Sequence, residues 1–293
     1  MLYTLENKSI KITASTAGGE LHNIINKKGN TEFLWNGNED FWKYHSPILF
    51  PIVGKVNNGE YNVNGVTFNL PQHGLARTSE FNMIKKSETN IVFELKYSDE
   101  SLKVYPYKFS LKITYTLVNN GVKVGYSVDN LDNETIYFSI GAHPAFICPL
   151  EANETMNDYF FELNKKETSS IMLLNEEGHF LQDRQSYLID NNIIPLSKEV
   201  FKNNALVFDD LKSTVISLKS KNHNKVLSMD FTGFPYMAVW SKSTGAPFVC
   251  IEPWYGHADH ANFQGELKDK EGIEKLGVGS TFNCSYTIFA ECN

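Results

Sequence analysis

Hydrophobic and polar residues alternate with a period of two along most of this chain, and stretches with a helical 3.6 period are few. Residues 9–13 read as a strand. Two short alternating runs, 60–63 and 66–70, flank Asn64-Gly65, the dipeptide that most strongly specifies a tight hairpin. Residues 91–97 alternate cleanly, and 109–117 face 122–128 across Asn119-Asn120-Gly121 as a second hairpin. Further strands are predicted at 137–140, 159–163, 215–218, 226–231, 236–240, 248–252 and 282–289. Helix is expected only in short pieces, within 41–49 and around 269–276. The polar run 151–157 reads as a loop. Many short strands joined by Asn/Gly turns predict an all-β chain, a large antiparallel β-sandwich with few short helices. No linker, repeat or low-complexity tract divides it, so one domain spanning 1–293 is expected.

Composition narrows the partners. Lys+Arg number 27 against 34 Asp+Glu, a formal net charge of -7, and only Arg77 and Arg184 are arginines. A chain of that balance lacks the basic face that nucleic acid requires, and it gives no support for docking on an anionic membrane. No cationic stretch followed by an apolar run opens the sequence, and no apolar run approaches a membrane span. Cys148, Cys250, Cys284 and Cys292 lack paired CxxC spacing, so reduced thiols in a cytoplasmic protein are the expectation.

Three stretches set a titratable residue beside Gly or Pro and interrupt the strand pattern. They are Gln72-His73-Gly74-Leu75-Ala76-Arg77, Gly141-Ala142-His143-Pro144-Ala145-Phe146 and Cys250-Ile251-Glu252-Pro253-Trp254-Tyr255-Gly256. His143 and Glu252 each precede a proline, which restricts the backbone toward an extended conformation. A carboxylate ending an apolar strand needs a partner or a raised pKa. An imidazole and a carboxylate held this way suit acid/base chemistry, and Phe146, Trp254 and Tyr255 could wall a site against the C–H face of a sugar. Taken singly, each has a plainer reading as a structural histidine, a capped strand end or an ion pair. His257-Ala258-Asp259-His260 offers a rival, weakly specific metal motif. No GxSxG elbow or Gly-rich phosphate loop occurs.

The three stretches, in this order and at these separations, resemble the aldose 1-epimerase (galactose mutarotase-like) family, in the branch carrying HG[FL]AR, GxHPAF and CxEPWxG. The resemblance covers essentially the whole chain. It implies a large antiparallel sandwich with a monosaccharide in an open cleft on one sheet, and a reaction needing neither metal nor cofactor. It also implies that Glu252 removes the O1 proton of a hexose while His143 protonates the ring oxygen O5, with roles reversing on closure. His73 and Arg77 would hold hydroxyls or developing charge, and His143 is expected to have a raised pKa beside a carboxylate. Two positions depart from the family pattern. Lys55 stands where relatives carry a sugar-contacting arginine, and Asn204 where they often carry an acid.

Three functions compete at this point: an epimerase acting on a free hexose or a hexose 6-phosphate, a non-catalytic carbohydrate-binding or regulatory sandwich, and a metal-dependent sugar isomerase. Retention of both His143 and Glu252 favours the first, and the acidic balance suits a neutral sugar. The clustered His ligands of the third are not seen in the spacing. Exposed edge strands leave a monomer or a homodimer open.

Overall fold

The computed structural model describes residues 1–292, so the expected boundary at Asn293 falls outside the described residues. The alternation becomes strand where it was read, and the sheets are antiparallel throughout their named strands. Glu60–Val63 pairs with Val66–Asn69 across Asn64-Gly65, both at positive φ (51° and 77°), as a two-residue turn between twisted strands requires. Phe109–Val118 pairs with Gly121–Asn130, turning through Asn119 and Asn120. Strands Leu2–Glu6, Ile10–Ser15, Leu21–Asn26 and Thr31–Glu32 form a four-stranded sheet.

Fifteen strands form one long sheet. From its edge at Ile48–Leu49 it passes through Ile140–Ala142, Phe248–Tyr255, Tyr236–Trp240 and Leu206–Phe208 to the long strand Tyr159–Leu174. It continues through Val215–Ser220, Lys225–Asp230, Thr281–Cys292 and the second hairpin to Asn90–Lys96 and Asn82–Lys86. Ala145–Ile147 and Phe180–Pro195 attach at its sides. Residues from both ends of this sheet and from the four-stranded one (Ile12, Ile24, Phe93, Ile113, Val239, Ile251) share one buried apolar cluster, so the sheets close over it as a sandwich. Burying such side chains supplies roughly 1.5–3 kcal/mol each.

The expected helices differ. Residues 41–49 form a turn and the short strand Ile48–Leu49, because Trp42 packs sideways on Trp240 and Phe248 instead of along a helix axis. Around 269–276 there is a 3-10 turn at Leu267–Asp269 and then strand Glu274–Leu276, claimed by pairing with Ile136–Phe138. The α-helix among the described residues is the single turn Asp99–Leu102, capped by Ser98. Among the described residues no helix is long and apolar enough to cross a membrane.

Candidate active site

The pleat of strand Phe248–Tyr255 creates the site. Successive side chains point to opposite faces, so Val249 and Ile251 enter the main core while Phe248, Cys250, Glu252 and Trp254 face the other way. The neighbouring strand repeats this: Met237 and Val239 face the core, and Ala238 and Trp240 face outward with Glu252.

On the other side, residues 140–147 run antiparallel to this strand, Gly141 opposite Trp254 and Ala145 opposite Cys250. Continuing that register sets His143 directly opposite Glu252. Each is followed by a proline, which lacks the N–H that a continuous ladder would use. The ladder therefore opens where the two functional side chains meet, and His143 N–H turns to the Pro47 carbonyl at 3.1 Å instead. His143 Nε2 lies 3.4 Å from Glu252 Oε2, with the glutamate 2% exposed and the histidine 7%. Gly141 permits this packing: a Cβ there would sit 2.5 Å from Trp254 Cδ1.

A cavity of about 250 Å³ lies over the pair, and His73, Arg77, Gln72, Asn204, Trp42, Trp240, Trp254 and Phe180 are among its lining residues. Three of the four tryptophans line it. Trp42 and Trp240 hold the His143 ring, with centroids at 4.9 and 5.6 Å. His73 sits at φ 66°, a strained value for a non-glycine residue that costs on the order of 1 kcal/mol. Its Nδ1 accepts the Gly54 N–H at 3.1 Å, so in the neutral ring the proton resides on Nε2 as a donor. Its ring meets that of His143 edge-on at 5.5 Å. Arg77 Nη2 donates to the Gln72 carbonyl at 2.7 Å and its guanidinium lies over Tyr44 at 4.9 Å, leaving further donors at the cavity.

Burial dominates the electrostatics. It pushes the Glu252 carboxyl well above its ordinary range, against the opposing influence of the adjacent Trp254 indole. It also drives His143 down to about 3, and the Arg77 charge pushes the same way. The expected raised pKa of His143 is thus reversed: removal from water outweighs the carboxylate. His73 is held well below its usual value by burial and by neighbouring His143, Arg77 and Lys55. Burial thus opposes charge on both His143 and Glu252.

Comparison with known proteins gives the family. The aldose 1-epimerase family profile matches residues 1–273. The chromosomal protein LacX of Lactococcus lactis subsp. lactis is 34% identical, over 98% of this chain and 99% of its own. The chain belongs to the aldose 1-epimerase family. A galactose mutarotase related enzyme from Lactobacillus acidophilus superposes with a TM-score of 0.95 at 32% identity, covering 99% of this chain and 97% of that one. A galactose mutarotase-like protein from Lactobacillus casei gives 0.93 at 28%, covering 99% and 100%. The large antiparallel β-sandwich expected from the sequence is therefore present.

Within this family member, His143, Glu252, His73, Arg77, Asn204 and Trp254 come together at one cavity. Lys55 does not join the lining: its ammonium donates to the Glu177 carbonyl at 2.7 Å, beside Gly178 on the cavity rim. Asn204 stands at the exposed rim with its Oδ1 taken by the Ala205 N–H at 2.9 Å, which leaves the amide nitrogen free to donate. Phe146 and Tyr255 do not wall the cavity. Both fall on the alternate pleat, Phe146 inside the main core and Tyr255 against it with its hydroxyl on the Gly233 carbonyl. Asp259 of the His257–His260 motif is already engaged, by Lys270 Nζ at 2.6 Å and by the Asn57 N–H. Trp42, Trp240 and Phe180 were not read from the sequence; for the two indoles, with only four tryptophans in 293 residues, scarcity was the available signal.

Proposed function

We propose that this chain interconverts the α and β anomers of a free hexose by acid/base ring opening. The supporting observation is the buried His143–Glu252 pair, 3.4 Å apart, beneath a monosaccharide-sized cavity. Mutarotation needs a base at O1 and an acid at O5, two oxygens on the same carbon. Glu252 takes the O1 proton, electrons move into the C1–O1 bond, the C1–O5 bond breaks, and His143 delivers its proton to O5. Rotation about C1–C2 and the reverse transfers close the other anomer. Opening proceeds from the less populated tautomer, with the proton on His143 and none on Glu252, and converts that imidazolium–carboxylate pair into two neutral groups. Burial of both favours that direction, since it opposes charge on each. The Nε2–H of His73 and the remaining donors of Arg77 hold sugar hydroxyls, Asn204 reaches in from the rim, and the indoles, Trp254 among them, cover the C–H face. Lys55 supports the reading indirectly, by tying the rim at Glu177.

A neutral sugar fits better than a 6-phosphate. Arg77 is the cationic side chain lining the cavity, and the Lys55 ammonium is turned to a carbonyl. The test follows the equilibration of pure α-D-glucose and α-D-galactose, and of their 6-phosphates, by polarimetry with EDTA present. Acceleration over buffer is expected for a free sugar, with losses of at least about 100-fold in Glu252→Gln and His143→Asn. Absence of acceleration for every sugar by micromolar protein would overturn the assignment and leave the carbohydrate-binding reading.

A further inference from the structure

Anomer exchange leaves one titratable group of the 250–256 stretch unused. Cys250 stands two residues before Glu252 on the same face of the strand, a free thiol that is fully buried. It packs with Trp35, Ala145 and Phe248, and the lining of the sugar cavity includes His143 and Glu252 but stops short of it. A sulfur so placed does nothing for sugar hydroxyls. It does complete a set of metal donors. Ligand atoms of His143, Cys250 and Glu252 all lie within 4.8 Å of one another, and all three residues are buried.

The distances fit one small ion. His143 Nε2 and Glu252 Oε2 face each other at 3.4 Å, which is long for a hydrogen bond. Bonds of ~2.0–2.1 Å to a tetrahedral ion set nitrogen and oxygen ligands about 3.3–3.4 Å apart, so these two atoms already span that edge. An ion bonded to both sits beside the line joining them, and neither donor has to turn away from the other. A thiolate at ~2.3 Å from the ion lies about 3.6 Å from the other ligands. Reaching that from 4.8 Å takes at most about 1.2 Å, within the swing of a thiol about its Cα–Cβ bond. A second cluster, Glu20 with His22 and His45, fails this test: its imidazoles stack at 3.9 Å and 12°, and no ion can lie in both ring planes.

Charge and access agree. A divalent ion with one thiolate, one carboxylate and a neutral imidazole sums to zero. The assembly therefore brings no net charge into a buried site, and the Arg77 guanidinium on the cavity wall faces a neutral group. The thiol and the carboxyl release their protons to solvent as the ion enters. The cavity of about 250 Å³ over His143 and Glu252 provides the way in, and its water takes the fourth position. We propose that His143, Glu252 and Cys250 bind a divalent transition-metal cation of the zinc class, and that the bound ion switches the sugar site off. Thiolate, imidazole and carboxylate are the donors that class prefers. The inhibition rests on the reading of His143 and Glu252 as acid and base: an ion on both removes the lone pairs that exchange the proton and competes with the sugar for space. Metal binding itself does not depend on that reading.

The test strips the purified protein with chelator, removes the chelator, and titrates with Co²⁺ by near-ultraviolet and visible spectroscopy and with Zn²⁺ by calorimetry. One equivalent is expected, with tetrahedral d–d bands and a thiolate-to-cobalt charge-transfer band that is lost in Cys250→Ser and kept in Cys284→Ser. Cys250→Ser and Glu252→Gln should each weaken Zn²⁺ binding at least about tenfold; Glu252→Gln carries the comparison if Cys250→Ser does not fold. In the exchange assay run without chelator, Zn²⁺ should inhibit the wild type competitively with the hexose, and EDTA should restore the rate. Cys250→Ser should keep the metal-free rate and escape the inhibition. Absence of binding up to millimolar Zn²⁺, absence of the thiolate band, its survival in Cys250→Ser, or a saturated protein that still exchanges anomers would each overturn the proposal. A chain that exchanges no sugar yet binds Zn²⁺ through Cys250 would overturn the assigned reaction and uphold the metal site.

Discussion

Replacing Glu252 by Gln separates catalysis from stability, because the two respond in opposite directions. The substitution keeps the shape of a side chain that is 2% exposed and removes its ionisation. Loss of the base should slow anomer exchange at least about 100-fold, equivalent to about 2.7 kcal/mol of barrier. Stability should rise. Burial holds the folded Glu252 pKa well above 4.5, so above that pH the unfolded chain releases a proton that the folded one retains. Wild-type stability from this group therefore falls as pH rises, by about 1.4 kcal/mol per pH unit, until the folded carboxyl ionises. His143 works the other way, its folded pKa of about 3 costing stability only as pH falls through 6.5. Above pH 7 that histidine is neutral in both states, and the remaining titrations cancel between the two proteins. Urea unfolding of wild type and Glu252→Gln at half-unit steps from pH 5 to 8 should show the variant's advantage growing with pH until the folded carboxyl ionises. NMR exchange of a hexose would record the lost rate. If the variant were instead less stable by about 3–5 kcal/mol, Glu252 would be half of a structural ion pair and the reasoning would fail.

Other outcomes follow from the packing. Gly141→Ala places a Cβ 2.5 Å from Trp254 Cδ1, about 0.9 Å inside an ordinary contact of 3.4 Å. It should cost about 1–3 kcal/mol in thermal unfolding and, by displacing the indole, about 100-fold in kcat/KM; wild-type values in both would refute the contact argument. Arg77→Lys keeps the charge but loses the fork and the tether to the Gln72 carbonyl. Steady-state kinetics should show KM raised about tenfold with kcat within about twofold, and a kcat effect alone would place Arg77 in the chemical step.

Much of this was legible because local rules and tertiary demands agree. Asn64-Gly65 fixes its hairpin whatever surrounds it, and two of the three polar stretches meet where the ladder between 140–147 and 248–255 opens. The sequence could not show that His143 faces Glu252, since that register is set by pairing over more than a hundred intervening residues. Nor could it orient Phe146 and Tyr255, because which pleat faces the cavity depends on what covers the other side. Strand Phe180–Pro195 escaped notice because it is mostly exposed on both faces and carries little apolar alternation. Lys55 was misplaced for a related reason. Its neighbour Gly54 lines the cavity, but the reach of a flexible lysine is decided by the nearest free acceptor, here the Glu177 carbonyl.

Strand Phe248–Tyr255 has one further consequence. Its odd positions face the main core and its even positions face the side of the cavity, so the strand is read like a frame. Substitution at one position alters one property and leaves the other in place. Removing or adding a single residue would exchange the two sets, sending Glu252 and Trp254 into the core and Ile251 into the cavity. Variation along this strand is therefore confined to replacement, and length is the quantity that fold and function hold in common.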